Sequence, residues 1–438
     1  MYKIKFITFG CKVNHYETEC MKSLFRDDGY EIAAENAEAA DAVVINSCTV
    51  TSSGDGRVLA ALRKARAALP DAVIALTGCY PQANPDDAEK LGDADIIIGT
   101  KDRARIVALV GRCLERREHI VMLSKYSVGD DYECLKCSRF DDNTRAFVKI
   151  QDGCNQFCSY CIIPFARGRC RSKPIELLRD EVRDIAAFGK REIVLSGINL
   201  AFYGIEHGCD LADAAEICAE TEGIERVRLG SLEPEKMSDD MLKRLAAIPE
   251  LCPQFHLSLQ SGCTSTLRAM NRRYTADEYY ELTERIRGFF PDCTFTTDIM
   301  VGFPQETDGD FEESVEFVRR IGFSRVHIFR YSRRKGTRAD KMSGQIPESV
   351  KTERWHIMSA AADEMRKKYL DSLVGKKVNV LFERENCTDF HQGYAPDYTL
   401  IKIPRKNSKK SLRNQILCVK IEESAHDLCI GRICEHSE

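Results

Sequence analysis

The sequence contains no long apolar run, and this absence limits where the protein can reside. No stretch of the 438 residues approaches the roughly 18 apolar residues of a membrane-spanning helix. The start, MYKIKFITFG, has neither the apolar centre nor the small-residue cleavage site of a secretory signal. We therefore expect a cytoplasmic protein with no membrane partner.

An excess of positive charge is also lacking. The formal net charge is −4 at pH 7, whereas a protein that binds nucleic acid over a broad surface is strongly basic. Any contact with nucleic acid must therefore use a local basic patch. The length predicts two to four domains.

Cysteine, by contrast, is abundant, with 20 residues. Disulfides are rare in the reducing cytoplasm, so these thiols are not a disulfide scaffold. We expect some of them to bind metal and others to serve as small apolar core residues.

Three of the cysteines lie on one short loop. Cys154, Cys158 and Cys161 follow the strand-like run 146–150 with the spacing C-x3-C-x2-C. Zinc usually needs four ligands, and only Cys170 follows closely, whereas iron–sulfur clusters are held by thiolates at such short spacings. Three ligands on a four-iron cluster leave one iron open to a substrate or cofactor. A zinc knuckle and a chance grouping remain alternatives.

With Phe157 and Tyr160 between its ligands, this loop resembles that of the radical S-adenosylmethionine (SAM) superfamily. The resemblance implies a [4Fe–4S] cluster whose open iron binds the methionine part of SAM. It also implies reductive cleavage of SAM to a 5′-deoxyadenosyl radical.

Strand-like and helix-like segments alternate around and beyond this loop. Six β-rich runs recur, at 146–150, 192–196, 226–230, 254–259, 294–299 and 325–330. This alternation predicts a partial parallel (β/α)6 barrel, which we assign to residues 140–370. In such barrels the chemistry lies at the carboxyl ends of the strands.

The resemblance to the superfamily also implies SAM contacts at that rim; an ordinary loop cap is the alternative for each. The residues are Gly197 and Asn199 for the amino acid, Glu233 and Gln260 near the ribose, and Gly302 and Pro304 near the adenine.

A second α/β pattern precedes the barrel. Strand candidates at 2–8, 42–46, 72–77 and 94–99, with helices between them, predict a small doubly wound domain over residues 1–118. Cys11, Cys48 and Cys79 each follow one of the first three strands, in FGCKVN, NSCTV and TGCYPQ. Because open α/β sheets bind ligands at the carboxyl ends of their strands, we expect these thiols to converge on a second cluster. The alternative to a second cluster is that these three cysteines are simply buried residues at the ends of strands.

A domain with three dispersed cysteines, followed by a radical SAM barrel, resembles the methylthiotransferase family along nearly the whole chain. The opening TFGCKVNHYET resembles the branch that acts on N6-threonylcarbamoyladenosine in tRNA. His15 stands where glutamine is expected and Cys170 where no cysteine is expected, but neither is a ligand position. The resemblance implies two [4Fe–4S] clusters, SAM, a tRNA anticodon stem-loop as partner, a flavodoxin-type or ferredoxin-type reductant, and a 2-methylthio product at position 37.

Other functions remain open at this point. The target could be isopentenyladenosine in tRNA or an aspartate of a ribosomal protein. The second cluster could serve only electron transfer in another radical SAM enzyme, or the chain could be a non-catalytic iron–sulfur RNA-binding protein. Cys134 and Cys137 form a C-x2-C in the linker, and we treat the pair as incidental because no second pair lies nearby.

The last part of the chain, residues 371–438, changes to short β-type runs. They predict a small antiparallel β-barrel that resembles the TRAM domain of tRNA-modifying enzymes. Two basic runs are candidate phosphate contacts, although such runs are often only solvated loops. They comprise Arg167, Arg169, Arg171 and Lys173 after the cysteine loop, and Lys402, Arg405, Lys406, Lys409, Lys410 and Arg413 near the end.

Overall fold

The structure, a computed structural model, describes residues 1–34, 36–137, 143–384, 389–405 and 410–434. Lys406 and Lys409 lie outside the described residues, as does residue 140, the predicted start of the second domain. The chain forms a parallel α/β sheet, a parallel α/β barrel and a small closed β-barrel, in that order.

The N-terminal domain is a six-stranded parallel sheet in the order β2-β1-β3-β4-β5-β6. Its central strands β3 and β4 are fully buried because helices cover both faces. Its elements are β1 (Lys3–Thr8), α1 (Lys12–Asp27), β2 (Glu31–Ile32), β3 (Ala42–Ser47), α2 (Ser52–Ala68), β4 (Val73–Gly78), α3 (Cys79–Ala83), α4 (Pro85–Ala88), β5 (Ile96–Ile98), α5 (Ile106–Arg116) and β6 (Ile120–Met122).

This domain has the predicted doubly wound architecture. The chain order reverses between β1 and β3, and sheets of this kind bind ligands at that point. The sequence missed β2 and β6, because runs of two or three residues carry too little alternation to be recognised. Since β6 ends at Met122, the sheet extends past residue 118.

The second domain is the predicted parallel barrel. The strands pair as β7-β10-β11 and as β12-β13-β14-β15, and all these pairs are parallel. Its elements are β7 (Ala146–Lys149), β8 (Gln151–Asp152), α6 (Ile163–Arg167), β9 (Arg171–Ser172), α7 (Ile175–Ala187), β10 (Glu192–Ser196), α8 (Leu211–Glu220), β11 (Arg226–Leu229), β12 (Ser231–Leu232), α9 (Asp239–Ala246), β13 (Gln254–Leu257), α10 (Thr264–Ala269), α11 (Ala276–Phe289), β14 (Thr294–Val301), α12 (Asp308–Ile321), β15 (Arg325–Arg330) and α13 (Glu348–Asp371).

Several helices of the barrel begin at a residue whose side chain caps them. Thr275 and Glu278 form a reciprocal capping box at the start of α11, and Thr307 and Asp310 form another at α12. Short 3-10 helices lie at Arg103–Arg105, Leu200–Phe202, Ile205–His207, Pro234–Lys236 and Ala339–Lys341.

The third domain is a closed barrel in the order β16-β17-β18-β20-β19. Its pairs are antiparallel, as predicted, except that β18 and β20 run parallel. The polar run of β17 was missed by the sequence reasoning. The strands are β16 (Lys377–Phe382), β17 (Phe390–Tyr394), β18 (Leu400–Pro404), β19 (Ile416–Ala425) and β20 (Leu428–Ile433).

Arginines of the parallel barrel hold this third domain in place. Arg226 donates to the carbonyl oxygens of Tyr394 and Asn379, at 3.2 and 2.6 Å. Arg228 is fully buried and donates to the carbonyl oxygens of Ala395 and Pro396. The closed barrel is therefore fixed against the amino ends of the parallel strands. Within the described residues, no helix has the length and apolar character needed to cross a membrane.

Candidate active site

The three cysteines of the N-terminal domain follow three neighbouring strands. Cys11, Cys48 and Cys79 come just after β1, β3 and β4, which are adjacent in the sheet. The register aligns Thr8 with Asn46 and Ser47 with Gly78, so the strands end level with one another. The structure therefore brings these cysteines to one edge of the sheet, at its switch point.

Two glycines allow the backbone turns that bring these thiols together. Gly10 has φ +114°, and a Cβ there would lie 2.8 Å from the Cβ of Cys48. Gly78 has φ +100°, a conformation that L side chains rarely adopt. The pKa of Cys79 is raised to about 12, chiefly by burial; Arg167 opposes this rise, and the nearby thiols of Cys48 and Cys11 contribute to it.

The cysteine loop of the barrel is held by polar contacts from within the loop and from the segment between α10 and α11. The Cys158 sulfur lies 3.4 Å from Nη1 of Arg272, and the backbone N–H of Gln156 lies 3.4 Å from the Cys154 sulfur. Burial raises the pKa of Cys154 to about 11, and the adjacent Cys158 thiol contributes to this rise. Burial also raises the pKa of Cys161, and the neighbouring thiols of Cys158 and Cys154 raise it as well. The three thiols therefore lie close enough to oppose one another's ionisation.

Thiols in this arrangement fit an iron–sulfur cluster, because a bound cation would favour the thiolate form that burial disfavours. Among the residues that the structure describes, no three His, Cys, Asp or Glu side chains form a metal site that is already assembled.

One predicted SAM residue has an unused acceptor. Asn199 is buried, and its Oδ1 has no hydrogen-bond partner among the described residues. Its Nδ2 lies 4.0 Å from the Cys154 sulfur, and its backbone N–H donates to Oε1 of Gln151 at 2.7 Å. A buried acceptor without a donor is costly, so this atom fits the ammonium group of a bound amino acid. Gly197 lies in the same segment, directly after the end of β10.

The other predicted SAM residues lie on the same rim. The carboxylate of Glu233 pairs with Arg272, and burial raises the pKa of Glu233 to about 7 against that cation. Gln260 has φ +71°, and its backbone N–H donates to the Asp298 carbonyl at 2.8 Å. Gly302 and Pro304 follow β14.

A cluster of buried charges lies between the two cysteine groups. Arg167 donates through Nη2 to Asn14 Oδ1 at 2.8 Å and to Glu17 Oε2 at 3.0 Å, and through Nη1 to Asp152 Oδ1 at 3.0 Å. Asn14 Oδ1 in turn lies 3.7 Å from the Cys11 sulfur. Burial alone would raise the pKa of Glu17, but Arg103, Arg167 and Lys149 lower it to about 2.

This cluster corrects part of the predicted RNA surface. Arg167, Arg171 and Lys173 are only 0%, 7% and 3% exposed, because carboxylates of Glu17, Asp152 and Glu181 draw them inside. They cannot contact the phosphates of an RNA. Only Arg169 of this run is exposed, with its guanidinium 4.5 Å from the centre of the Phe157 ring.

The other basic run lies on the closed barrel. Lys410 and Arg413 are exposed, whereas Lys402 and Arg405 are half-buried. In the linker, Cys137 is buried and Cys134 is exposed, so the two thiols have different surroundings.

A cavity of about 650 Å³ lies where the three domains meet. Cys11 and Lys12 form part of one wall, Gly197 and Asp298 belong to the parallel barrel, and Tyr398 comes from the closed barrel. This volume is typical of a ligand site. Lys12, Arg272 and Glu17 were all missed by the sequence reasoning, since no local pattern sets them apart from other charged residues.

Comparisons with known proteins agree with this arrangement. Residues 148–318 match the radical SAM superfamily, and residues 3–99 match an uncharacterised protein family, UPF0004. The threonylcarbamoyladenosine tRNA methylthiotransferase MtaB of Thermotoga maritima is 38% identical over 87% of each chain. The MtaB of Bacillus subtilis is 34% identical over 97% of this chain and 95% of its own.

The chain belongs to the methylthiotransferase family of radical SAM enzymes.

Another branch of this family is also similar. The tRNA-2-methylthio-N(6)-dimethylallyladenosine synthase of Caldicellulosiruptor saccharolyticus is 34% identical over 86% of this chain and 81% of its own. Among solved structures, the radical SAM methyltransferase TsrM of Kitasatospora setae has a TM-score of 0.57 at 14% identity, over 78% of this chain and 77% of its own. This likeness supports the fold of the methylthiotransferase and nothing further.

Proposed function

We propose that this methylthiotransferase modifies N6-threonylcarbamoyladenosine at position 37 of tRNA, next to the anticodon. The hydrogen at C2 of the adenine would leave as part of 5′-deoxyadenosine, formed from one SAM, and a methylthio group whose methyl comes from a second SAM would take its place. The observation that carries the proposal is the shared cavity, because Cys11 of one cysteine group and the rim of the SAM barrel line the same space. The names of the relatives in Thermotoga maritima and Bacillus subtilis support this substrate.

Two [4Fe–4S] clusters are part of the proposal. One would be held by the barrel cysteines Cys154, Cys158 and Cys161. The other would be held by the N-terminal cysteines Cys11, Cys48 and Cys79. When bound, the clusters would supply an electron for the cleavage of SAM and a site for the sulfur that is transferred. Asn199 would accept a hydrogen bond from the amino group of SAM through its unpaired Oδ1. Glu233, Gln260, Gly302 and Pro304 are the proposed contacts to the rest of SAM.

The residues of the chain itself would position these components. Arg272 lies against the Cys158 sulfur and pairs with Glu233, so it places positive charge beside the thiolates. Arg167 ties the Cys11 loop to the strand end at Asp152, which fixes the distance between the two cysteine groups.

The RNA would approach along cations outside the cavity. Arg169 lies beside the barrel cysteine loop, and Lys402, Arg405, Lys410 and Arg413 belong to the closed barrel. Lys406 and Lys409, which lie outside the described residues, stay candidates from the sequence. Such contacts position an RNA without reading its sequence. The target base must leave its stack to enter the cavity, which costs a few kcal/mol and less in a single-stranded loop. A flavodoxin-type or ferredoxin-type reductant and a cytoplasmic location complete the proposal.

The test is the nucleoside content of tRNA from a strain that lacks this gene. The 2-methylthio form of threonylcarbamoyladenosine should disappear, its unmethylthiolated precursor should accumulate, and a plasmid copy should restore the product. If the isopentenyladenosine product is lost instead, the substrate assignment is wrong although the reaction class stands. If neither nucleoside changes, the enzyme does not act on these positions.

A further inference from the structure

Cations line one side of the cavity between the three domains. Arg145 and Arg325 are two of them, but each already has a carboxylate partner. Arg145 pairs with Glu383 at 2.9 Å, and Arg325 pairs with Asp427 at 3.0 Å. Their positive charges are therefore largely matched before any ligand binds.

Lys12 differs from these arginines. Its Nζ lies 3.3 Å from the hydroxyl oxygen of Tyr398 and 5.0 Å from the centre of that ring. Within the described part of the chain, no carboxylate lies within ion-pair distance of this ammonium group. Lys12 is half-buried beside Cys11, so its charge is partly withdrawn from water and faces the cavity.

The position of Lys12 is fixed from both sides. It is the first residue of α1 and directly follows Cys11, the residue that precedes this helix. Tyr398 lies over the buried guanidinium of Arg228, with 3.7 Å from the guanidinium carbon to the ring centre. The ammonium group is therefore held at the boundary between the N-terminal domain and the closed barrel.

The acidic residue of the same cavity is already engaged. Oδ2 of Asp298 lies 3.4 Å from Nε2 of His256, and Nδ1 of His256 lies 3.0 Å from the hydroxyl of Thr296. A negative group on the substrate would therefore find its unmatched counter-charge at Lys12.

We infer that Lys12 binds the carboxylate of the threonylcarbamoyl group and thereby selects the substrate. This inference rests on the proposed function and deepens it. The threonylcarbamoyl group ends in a carboxylate, whereas an isopentenyl group is entirely apolar. An apolar group would cover the ammonium without offering a hydrogen bond, and this arrangement is unfavourable. Hydrogen bonds to charged groups are among the stronger contacts in proteins.

The test compares the affinities of three stem-loop RNAs that differ only at position 37: threonylcarbamoyladenosine, isopentenyladenosine and unmodified adenosine. The full-length enzyme with reconstituted clusters is used. Wild type should bind the threonylcarbamoyl RNA about ten-fold more tightly than the unmodified RNA. Lys12→Met and Lys12→Gln should lose most of this preference, and Lys12→Arg should keep it. Lys64→Met, an exposed lysine of α2, removes the same charge elsewhere and should bind as wild type does.

The outcomes separate the inference from the proposed function. If wild type shows no preference for the threonylcarbamoyl RNA, or if Lys12→Met and Lys12→Gln keep the wild-type preference, the inference is overturned. If wild type prefers that RNA but forms no methylthio product from it, the proposed function fails and the role of Lys12 in binding stands. Iron content identical to that of wild type shows that each variant is folded.

Discussion

Arg228 should be a main determinant of the stability of the parallel barrel. Its side chain is fully buried, donates to Glu192 Oε1 at 3.0 Å and contacts Tyr398 and two carbonyl groups of the closed barrel. Replacing it with methionine would leave Glu192 buried, with Arg226, 3.5 Å away, as its remaining ion-pair partner in the described structure. Removing one partner of a buried ion pair costs about 3–5 kcal/mol.

Urea unfolding gives the measurement, because the sequence has a single tryptophan. Trp355 lies on α13, and its indole N–H donates to the Ile328 carbonyl of β15, so its fluorescence reports the parallel barrel. With a slope of about 3 kcal/mol per molar urea, a loss of about 3–5 kcal/mol means that Arg228→Met should lower the midpoint by about 1–1.7 M. Arg183→Met is the matched control, since Arg183 pairs with Asp180 on the exposed surface at 3.8 Å. Arg183→Met should lower the urea midpoint by no more than about a third as much as Arg228→Met does.

The pH dependence of unfolding and a double variant test the same ion pair in two further ways. Burial alone would raise the pKa of Glu192, but Arg228 and Arg145 lower it. The contribution of Glu192 is therefore present above its unfolded pKa of about 4.5 and is lost as the pH falls through the lowered value. The difference between wild type and Arg228→Met should narrow below that pH, and Glu192→Gln combined with Arg228→Met should be less unstable than Arg228→Met alone. Equal midpoints for Arg228→Met and Arg183→Met would show that the buried contacts of Arg228 do not stabilise the barrel.

The remaining predictions concern the clusters and the RNA. Replacing Cys154, Cys158 and Cys161 together with alanine should halve the iron bound after anaerobic reconstitution, from about eight atoms per chain to about four, and an unchanged iron content would contradict the barrel site. Cys79→Ala should abolish the methylthio product while SAM is still cleaved, since the barrel cysteines are intact; loss of all cleavage in a folded variant would contradict separate roles. Alanine at both Lys410 and Arg413 should weaken tRNA binding and reduce the slope of its salt dependence by up to about two, because each phosphate contact contributes about 0.9. An unaltered slope would leave these residues as ordinary surface cations.

Much of the architecture could be predicted because its signals are local. Alternating strands and helices are visible in short windows, and the three cysteine-bearing turns of the first domain follow recognisable strands. The convergence of those cysteines follows from the topology of a parallel sheet, since neighbouring strands present the same ends at one edge.

The interiors of the domain junctions could not be predicted in this way. Arg167 and Lys173 belong to a basic run that favours a surface reading, and only the fold reveals the carboxylates that bury them. One partner of Arg167, Glu17, lies 150 residues away in the sequence. Lys12 likewise acquires its role from Tyr398, which is 386 residues distant. Pairings over such distances leave no periodic trace in the sequence.

Mass spectrometry of nucleosides after a reaction in vitro tests the proposed methylthiolation. The reconstituted enzyme is incubated without oxygen with SAM, a reductant and a tRNA that carries N6-threonylcarbamoyladenosine at position 37. We expect the 2-methylthio derivative of that nucleoside, and no such product when Cys154, Cys158 and Cys161 are replaced by alanine. If an enzyme with full iron content cleaves SAM but leaves this nucleoside unchanged, the proposed substrate is wrong.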